Sequence, residues 1–132
     1  MIDTSAIVAI LLREDDADRF RLYLDRQLSP AISAATLHEA YCVSRRADFP
    51  AAAGQIDEFL SLVEPEIVAF DLDQLVAARS AYARYGRGSG HPANLNMGDC
   101  FSYALARTRD LPLLFKGDDF IHTDIVPALK PK

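Results

Sequence analysis

The alternation of short apolar segments with helix-forming segments constrains the fold of this chain more than any other feature of its sequence. The apolar segments are residues 1–2, 30–32, 66–70, 111–115 and 125–126. Short apolar strands separated by helices need crossover connections, which are typical of parallel sheets. The sequence therefore predicts an α/β fold, with a short, mainly parallel β-sheet flanked by helices in an α/β/α arrangement.

Apolar spacing and capping residues mark the helices between these strands. Helices are predicted over residues 6–13, 15–27, 34–47, 71–85 and 96–108, with a further helix that opens at Pro50. Ser33 is predicted to cap the third helix at its N-terminus, and Gly86 to cap the fifth at its C-terminus. In the fifth helix, Leu72, Leu75 and Val76 are spaced so that they lie on one face.

Length and composition favour one packed domain. The chain has 132 residues, half of them apolar, and no linker-like segment or internal repeat divides it. Its longest apolar run, residues 6–12, is far shorter than the roughly 20 residues of a membrane span. Cys42 and Cys100 form no metal-binding pair, and a reducing environment suits them. We therefore expect a single domain over residues 1–132, located in the cytoplasm and without a membrane contact.

The net charge bears on the class of partner. It is −5, from 19 acidic and 14 basic residues. A balance of this kind argues against a protein that holds nucleic acid through overall positive charge. It does not exclude a nuclease, because the active site of a nuclease can itself be acidic.

Acidic residues stand near the predicted carboxyl ends of the strands, where ligands of α/β sheets bind. Asp3 directly follows the first strand, and Glu39 lies in the helix after the second. Asp99 lies in the first turn of the last helix, and Asp118 and Asp119 follow the strand at residues 111–115. Each has a structural alternative: a helix cap for Asp3 and Asp99, a solvated surface position for Glu39, and a turn for the aspartate pair.

Four carboxylates that lie close together repel one another, and each resists ionisation unless a cation neutralises them. Oxygen ligands without sulfur or clustered imidazole favour Mg²⁺, or Mn²⁺ as a substitute, over zinc. Such a site suits phosphodiester hydrolysis, because a bound metal screens the phosphate and activates water. Without Asp3, Glu39, Asp99 and Asp119, the remaining 15 acidic residues nearly balance the 14 basic ones.

The motifs also occur in an informative order. Asp3-Thr4-Ser5 precedes an apolar helix, Glu39 lies in the third helix, and Asp99 follows a glycine at the start of a later helix. A Gly-Asp-Asp-Phe segment then ends at Phe120. Across essentially the whole chain this order resembles the PIN domain, and more narrowly the VapC toxins of bacterial type II toxin–antitoxin pairs.

The resemblance implies a Mg²⁺-dependent endoribonuclease that cleaves RNA and inhibits translation. It implies neutralisation by a VapB-type antitoxin, which lays a helix across an apolar groove and points a basic side chain into the acidic pocket. It further implies a homodimer and a toxin–antitoxin hetero-oligomer. Asp3 and Asp99 would be the metal ligands, Glu39 would complete the acidic pocket, and Asp119 would be the fourth catalytic acid.

Three further site residues follow from the same resemblance. Thr4 and Ser5 match hydroxyl positions that steady the first aspartate. Many relatives carry a Thr-x-Asp pattern after the strand at residues 111–115, whereas this chain has Phe-Lys-Gly at residues 115–117. Asp118 is therefore an alternative to Asp119 as the fourth acid.

A basic stretch is a second candidate for function. No acid occurs from Gln74 to Gly98, while Arg79, Arg84 and Arg87 supply positive charge. This stretch could follow an RNA backbone, with Lys116 as a separate phosphate contact. The structural alternative is a half-buried helix face whose arginines extend to solvent.

Two other functions are compatible with these residues. One is a housekeeping PIN-domain nuclease for RNA processing or for DNA. The other is a catalytically silent PIN-fold binding module whose acids are only caps. Metal-dependent RNA cleavage separates the silent module from the two nucleases, and growth arrest separates a toxin from a housekeeping enzyme.

Overall fold

A short parallel sheet lies at the centre of the computed structural model, which describes residues 1–49 and 54–131. Strand β1 (Ala31–Ser33) pairs in parallel with β2 (Glu66–Val68), with Ile32 opposite Ile67. The strands predicted at residues 30–32 and 66–70 are thus confirmed. The second of them, β2, ends two residues earlier than predicted.

On the other side of β1 the sheet continues through single bridges. Ile2 N–H donates to the Ala31 carbonyl at 2.9 Å, and Ile2 forms a parallel bridge with Leu114. Leu113 forms a further parallel bridge with Pro127, just beyond the predicted segment at residues 125–126. The residues predicted as the outer strands are therefore aligned with the sheet, but they pair over too short a distance to form regular strands.

The helices follow the predicted order. The described residues form α1 (Thr4–Leu11), α2 (Ala17–Asp25), α3 (Ala34–Ser44), α4 (Gly54–Val63), α5 (Leu72–Tyr85) and α6 (Met97–Arg109). A 3₁₀ turn at Phe120–His122, which was not predicted, follows the Gly-Asp-Asp segment. The predicted opening of the fourth helix at Pro50 lies outside the described residues. Helix α1 begins before residue 6 because the Asp3 side chain caps it.

Two of the predicted caps are confirmed, one for a different physical reason. Ser33 accepts a hydrogen bond from Ala35 N–H at 3.2 Å and begins α3. Gly86 ends α5, but its φ of −74° is not left-handed. A β-carbon at Gly86 would lie only 2.3 Å from the Tyr82 carbonyl oxygen. Close approach to the helix end, and not a special backbone angle, therefore requires glycine here.

Two apolar clusters cover the two faces of the sheet, which confirms the predicted α/β/α fold. One contains residues of the four helices α1, α2, α3 and α4, among them Ile7, Phe20 and Phe59. The other joins α5, α6 and the C-terminal segments, with Leu105 and Phe115 among its members. None of the helices in residues 1–49 and 54–131 is long and apolar enough to span a bilayer.

Helix α5 presents an unexpected face to the interior. Its buried residues include Ala78, Ala81 and Tyr85, which pack toward α6. Leu72 and Val76, on the apolar face found from the sequence, are 73% and 63% exposed. Small side chains let two helices approach closely, so the alanine face is the one that packs. The larger apolar side chains of α5 are therefore left on the surface.

Candidate active site

Asp3 is the most firmly held of the acidic residues. It is only 3% exposed, and its backbone N–H donates to the Leu114 carbonyl at 3.0 Å, at the end of the bridge to Ile2. Asp3 Oδ2 accepts hydrogen bonds from Ser5 N–H at 3.0 Å and from Ser5 Oγ at 2.6 Å. Asp3 Oδ1 accepts one from Ser102 Oγ at 2.5 Å. Donors on both oxygens fix the orientation of the carboxylate.

The donors to Asp3 are themselves supported by other segments. Lys116 N–H donates to Ser5 Oγ at 3.0 Å, and Ser102 Oγ lies 3.1 Å from Thr36 Oγ1. The predicted contact of Ser5 with Asp3 is present. Sequence reasoning missed Ser102 and Thr36, although their spacing held a usable signal. Ser102 follows Asp99 by three positions and Thr36 precedes Glu39 by three, so each pair shares a helix face.

Thr4 contacts Glu39, and not Asp3 as the resemblance implied. Its hydroxyl lies 2.6 Å from Glu39 Oε1 and 3.3 Å from the Thr36 carbonyl. Glu39 is half-buried on α3, and burial is the main cause that raises the pKa of its carboxyl group. The hydrogen bond from Thr4 lowers this pKa, whereas the charge of Asp3 raises it. The interpretation of Glu39 as a freely solvated residue is therefore wrong.

Asp99 both caps α6 and faces the other acids. Its Oδ2 accepts a hydrogen bond from Asn96 N–H at 2.9 Å, while Asn96 Oδ1 accepts one from Asp99 N–H at 2.8 Å. The pKa of Asp99 is raised to about 7, and burial is the largest cause. The hydrogen bond from Asn96 lowers this pKa, whereas the charges of Asp3, Asp119 and Glu39 add to the increase. The capping role and the acidic-site role therefore coexist in one residue.

Asp118 and Asp119, the two exposed aspartates after the bridges of Leu113 and Leu114, face different surroundings. Asp119 immediately precedes the 3₁₀ turn, and its charge contributes to the raised pKa of Asp99. Asp118 lines a separate cavity of about 260 Å³, together with Arg19 and Lys130. Of the two, Asp119 is thus the one whose charge acts on Asp99.

The arrangement of acids restricts how a cation is held. Within residues 1–49 and 54–131, no three acidic, histidine or cysteine side chains converge closely enough to bind one ion by themselves. Mg²⁺ does not need such a cage, because it retains several waters and takes one or two protein carboxylates together with substrate phosphate oxygens. Crowded carboxylates that resist ionisation, with Asp99 as the clearest case, fit an ion of this kind.

The four basic side chains considered from the sequence differ in their surroundings. Arg79, Arg84 and Arg87 are exposed, and no carboxylate of the described residues lies at ion-pair distance from them. Backbone hydrogen bonds join Leu95 N–H to the Tyr85 carbonyl and Arg87 N–H to the Leu95 carbonyl. The end of α5, with Arg84 and Arg87, is thus held beside the start of α6, which carries Asp99.

Lys116 is engaged within the protein. Its Nζ lies 2.6 Å from Glu14 Oε2 and 3.0 Å from Asp15 Oδ1, in the segment that joins α1 to α2. These hydrogen bonds raise the pKa of the Lys116 ammonium group. The backbone of Lys116 supports Ser5 while its side chain points to these acids, which disfavours the predicted phosphate contact.

Comparison with known proteins identifies relatives over nearly the whole chain. The family model of the PIN domain matches residues 1–126. The ribonuclease VapC42 of Mycobacterium tuberculosis strain H37Rv is 46% identical over 128 residues, which cover 97% of this chain and 98% of the relative. The ribonuclease VapC30 of the same strain is 44% identical over 132 residues, with 99% of each chain covered.

Two solved structures share the fold at low sequence identity. VapC20 of Mycobacterium tuberculosis, described as a sarcin-ricin loop cleaving toxin, superposes with a TM-score of 0.72 at 16% identity. The match covers 95% of both chains. A toxin–antitoxin complex from Klebsiella pneumoniae gives a TM-score of 0.67 at 16% identity, over 98% of this chain and 97% of the other.

Proposed function

The chain belongs to the PIN domain family, and we propose that it is a Mg²⁺-dependent endoribonuclease, the toxin of a type II toxin–antitoxin pair. In this proposal residues 1–132 act as a single PIN domain in the cytoplasm, where cleavage of RNA inhibits translation. Relatives more than 40% identical over nearly their full length are named VapC ribonucleases, which supports the activity. The observation that carries the proposal is the convergence of acidic residues on a half-buried carboxyl group. Burial, as the largest cause, together with the charges of Asp3, Asp119 and Glu39, raises the pKa of Asp99 to about 7.

Asp3 and Asp99 are the proposed metal ligands, with Mn²⁺ as a possible substitute for Mg²⁺. When bound, the metal lowers the pKa of a coordinated water and stabilises charge on the phosphate. Asp3 offers a carboxylate oriented by Ser5 and Ser102, so little reorganisation accompanies binding. Asp99 offers a carboxylate whose ionisation a nearby cation favours.

Glu39 and Asp119 complete the catalytic set in this proposal. One oxygen of Glu39 is occupied by Thr4, which leaves Oε2 to orient water or accept its proton. Burial raises the pKa of Glu39, which suits a residue that exchanges protons. Asp119 lies on the exposed side of the site, with Asp118 as the alternative.

RNA is proposed to approach the acidic site from the end of α5. Arg84 and Arg87 lie at the same end of the α5–α6 pair as Asp99, and their charge opposes the repulsion between the acids and a phosphate backbone. Arg79 lies farther back along the same helix. A basic strip beside an acidic centre explains how a chain with a net charge of −5 can bind RNA locally.

The antitoxin is proposed to occupy a groove between α1, α2 and α4. This groove has a volume of about 330 Å³, and its apolar lining includes Ile10, Leu11, Leu24, Phe59, Leu62 and Val63. Arg13, Arg21, Asp25 and Glu58 add both charges to the lining, which suits an amphipathic helix of VapB type. Leu62→Glu should abolish capture of the genomically adjacent antitoxin, whereas Leu28→Glu, at an exposed leucine outside the groove, should not.

The exposed face of α5 is proposed to form a homodimer, onto which the antitoxins assemble as a hetero-oligomer. Leu72, Leu75 and Val76 are exposed on one face of α5, and Ile67, on the strand that precedes this helix in the chain, is 53% exposed. Exposed apolar side chains grouped on one face are typical of association sites. Val76→Glu should convert the dimer to a monomer in analytical ultracentrifugation, with Leu28→Glu as the control.

The decisive test of the nuclease is metal-dependent cleavage. Purified protein should cleave RNA with Mg²⁺ and lose this activity in EDTA. The Asp99→Asn variant should cleave RNA more slowly by roughly 100-fold or more. Asp110→Asn makes the same chemical change at the other end of α6, in an exposed position, and should cleave normally. Full activity of a folded Asp99→Asn protein would overturn the metal-site assignment.

Expression in cells separates the toxin from other nucleases of this fold. The wild-type chain, expressed without an antitoxin, should arrest growth and produce defined RNA cleavage ends. Asp99→Asn should do neither. Normal growth together with RNA cleavage in vitro would favour a housekeeping role, and the absence of any cleavage would favour a silent binding module.

A further inference from the structure

Glu39, on α3, lies directly against the backbone of Gly98, on α6, within the acidic site. Gly98 is buried in the first turn of α6, next to Asp99. A β-carbon built on Gly98 would lie 1.5 Å from Glu39 Oε2, 2.4 Å from Glu39 Cδ and 2.7 Å from Glu39 Oε1. The carboxylate of Glu39 therefore occupies the space that any side chain at position 98 would need.

The backbone does not explain the glycine. Gly98 is absent from the positive-φ residues, which among the glycines are Gly88, Gly90 and Gly117. A residue with helical angles can be alanine, and alanine is far more favourable than glycine in a helix. Position 98 is therefore glycine because a side chain there would overlap Glu39.

The opposite side of the Glu39 carboxylate is held as well. Thr4 Oγ1 donates to Glu39 Oε1 at 2.6 Å, and Thr4 is itself buried at the start of α1. The carboxylate is thus placed between a hydroxyl on α1 and bare backbone on α6. Since Asp99 is the next residue after Gly98, this backbone contact sets how near Glu39 lies to the proposed metal ligand.

We propose that Gly98 is a positioning residue for Glu39, an inference that rests on the proposed nuclease function. A methyl group at position 98 would push the carboxylate away from α6 and crowd it against Thr4, which distorts their hydrogen bond of 2.6 Å. Catalytic groups lose much of their effect when they are misplaced by about 1 Å. Gly98→Ala should therefore reduce kcat roughly 10-fold or more, with a smaller effect on KM.

Gly54→Ala is the matched control. Gly54 also lies in the first turn of a helix, and a β-carbon there would meet nothing within 4 Å. The two variants make the same chemical change in the same helical context, so a general effect of alanine would appear in both. Gly54→Ala should cleave RNA at the wild-type rate.

A double-mutant cycle with Glu39→Ala distinguishes positioning from a general structural effect. If Gly98 acts through Glu39, Gly98→Ala should cause no further loss of kcat once the Glu39 side chain has been removed. The melting temperature of the metal-free protein provides a second readout. Gly98→Ala should lower it in the wild-type background and raise it in the Glu39→Ala background, where only the gain in helix propensity remains.

Each outcome of the cycle is decisive. Wild-type cleavage by Gly98→Ala, or an equal loss in both backgrounds, would overturn the positioning role while leaving the nuclease intact. If the wild-type chain does not cleave RNA, the proposed function fails, and the melting temperatures alone test the contact. If Gly98→Ala does not fold but Gly98→Ala/Glu39→Ala does, the clash with Glu39 is established.

Discussion

The hydroxyl of Ser102 donates a hydrogen bond of 2.5 Å to Asp3 Oδ1, across 99 positions of the chain. Both side chains are buried, with Ser102 only 2% exposed. Thr36 Oγ1, on α3, lies 3.1 Å from the same hydroxyl. One serine thus connects α6 and α3 to the acid at the end of the first sheet segment, and it does so from the helix that also carries Asp99.

Ser102→Ala should weaken both stability and activity. Removal of a buried donor leaves one oxygen of Asp3 without its partner, which costs about 1–3 kcal/mol of unfolding free energy. Cleavage should fall roughly 10-fold, because Asp3 is then oriented for the proposed metal through Oδ2 alone. Urea unfolding and single-turnover cleavage measure the two effects. Ser80→Ala, at an exposed position of α5, is the control, and equal behaviour of the two variants would contradict the role of Ser102.

The metal-free protein should lose stability as pH rises from about 4 to about 7. Asp99 has a folded-state pKa of about 7, above the ordinary value of 3.8, and that of Glu39 is also raised. In this window the folded state binds more protons than the unfolded state, so an increase in pH favours unfolding. The loss from Asp99 is on the order of 2 kcal/mol after allowance for solvent screening. Urea unfolding in EDTA at pH 5 and pH 8 measures it, and a flatter profile is expected for Asp99→Asn.

Asp99→Asn should raise the melting temperature of the metal-free protein at pH 8. The substitution removes one charge from a site that resists it, and the asparagine side-chain oxygen can still accept the hydrogen bond from Asn96 N–H. A gain of about 1 kcal/mol corresponds to a rise of roughly 3–5 °C in a chain of this length. Differential scanning calorimetry in EDTA is the appropriate measurement. A clear decrease would mean that capping by the charged side chain outweighs the repulsion.

Addition of Mg²⁺ should make the wild-type protein melt at a higher temperature than Asp99→Asn, the reverse of the order expected without metal. A ligand that binds only the folded state stabilises it by about 2.7 kcal/mol at 100 times its dissociation constant. The wild-type protein and Asp110→Asn should therefore gain melting temperature as Mg²⁺ or Mn²⁺ is added, whereas Asp99→Asn should gain little. An equal gain in all three proteins would place the bound ion elsewhere.

Arg87 and Lys116 should differ in their contribution to RNA binding. Each lysine or arginine that contacts a phosphate adds about 1 to the slope of log affinity against log salt. Arg87→Ala should reduce this slope by about 1, because the side chain is exposed beside the start of α6. Lys116→Ala should leave the slope unchanged, since Glu14 and Asp15 already bind the ammonium group. Filter binding of RNA to the Asp99→Asn protein at several salt concentrations measures both.

The architecture and the candidate acidic residues could be predicted from the sequence, because both depend on local patterns. Strand ends and helix starts follow from caps and periodicity, and the carboxyl ends of parallel strands meet at one edge. The sequence was not sufficient for the partners of Thr4, whose hydroxyl lies next to Glu39 only because α1 and α3 pack together. Periodicity also could not decide which face of α5 is covered. The alanine face packs against α6, and the larger face with Leu72 remains outside.

The bridge between Ile2 and Leu114 has a consequence for the synthesis of this protein. Asp3 is synthesised long before Leu114, yet its backbone N–H donates to the Leu114 carbonyl, and Lys116 N–H donates to Ser5 Oγ. A nascent chain that ends before these residues lacks two contacts that support the first of the proposed metal ligands. Contacts of such long range form late, after the chain between them is complete. The ribosome must therefore synthesise the chain beyond Lys116 before the acidic site can assemble.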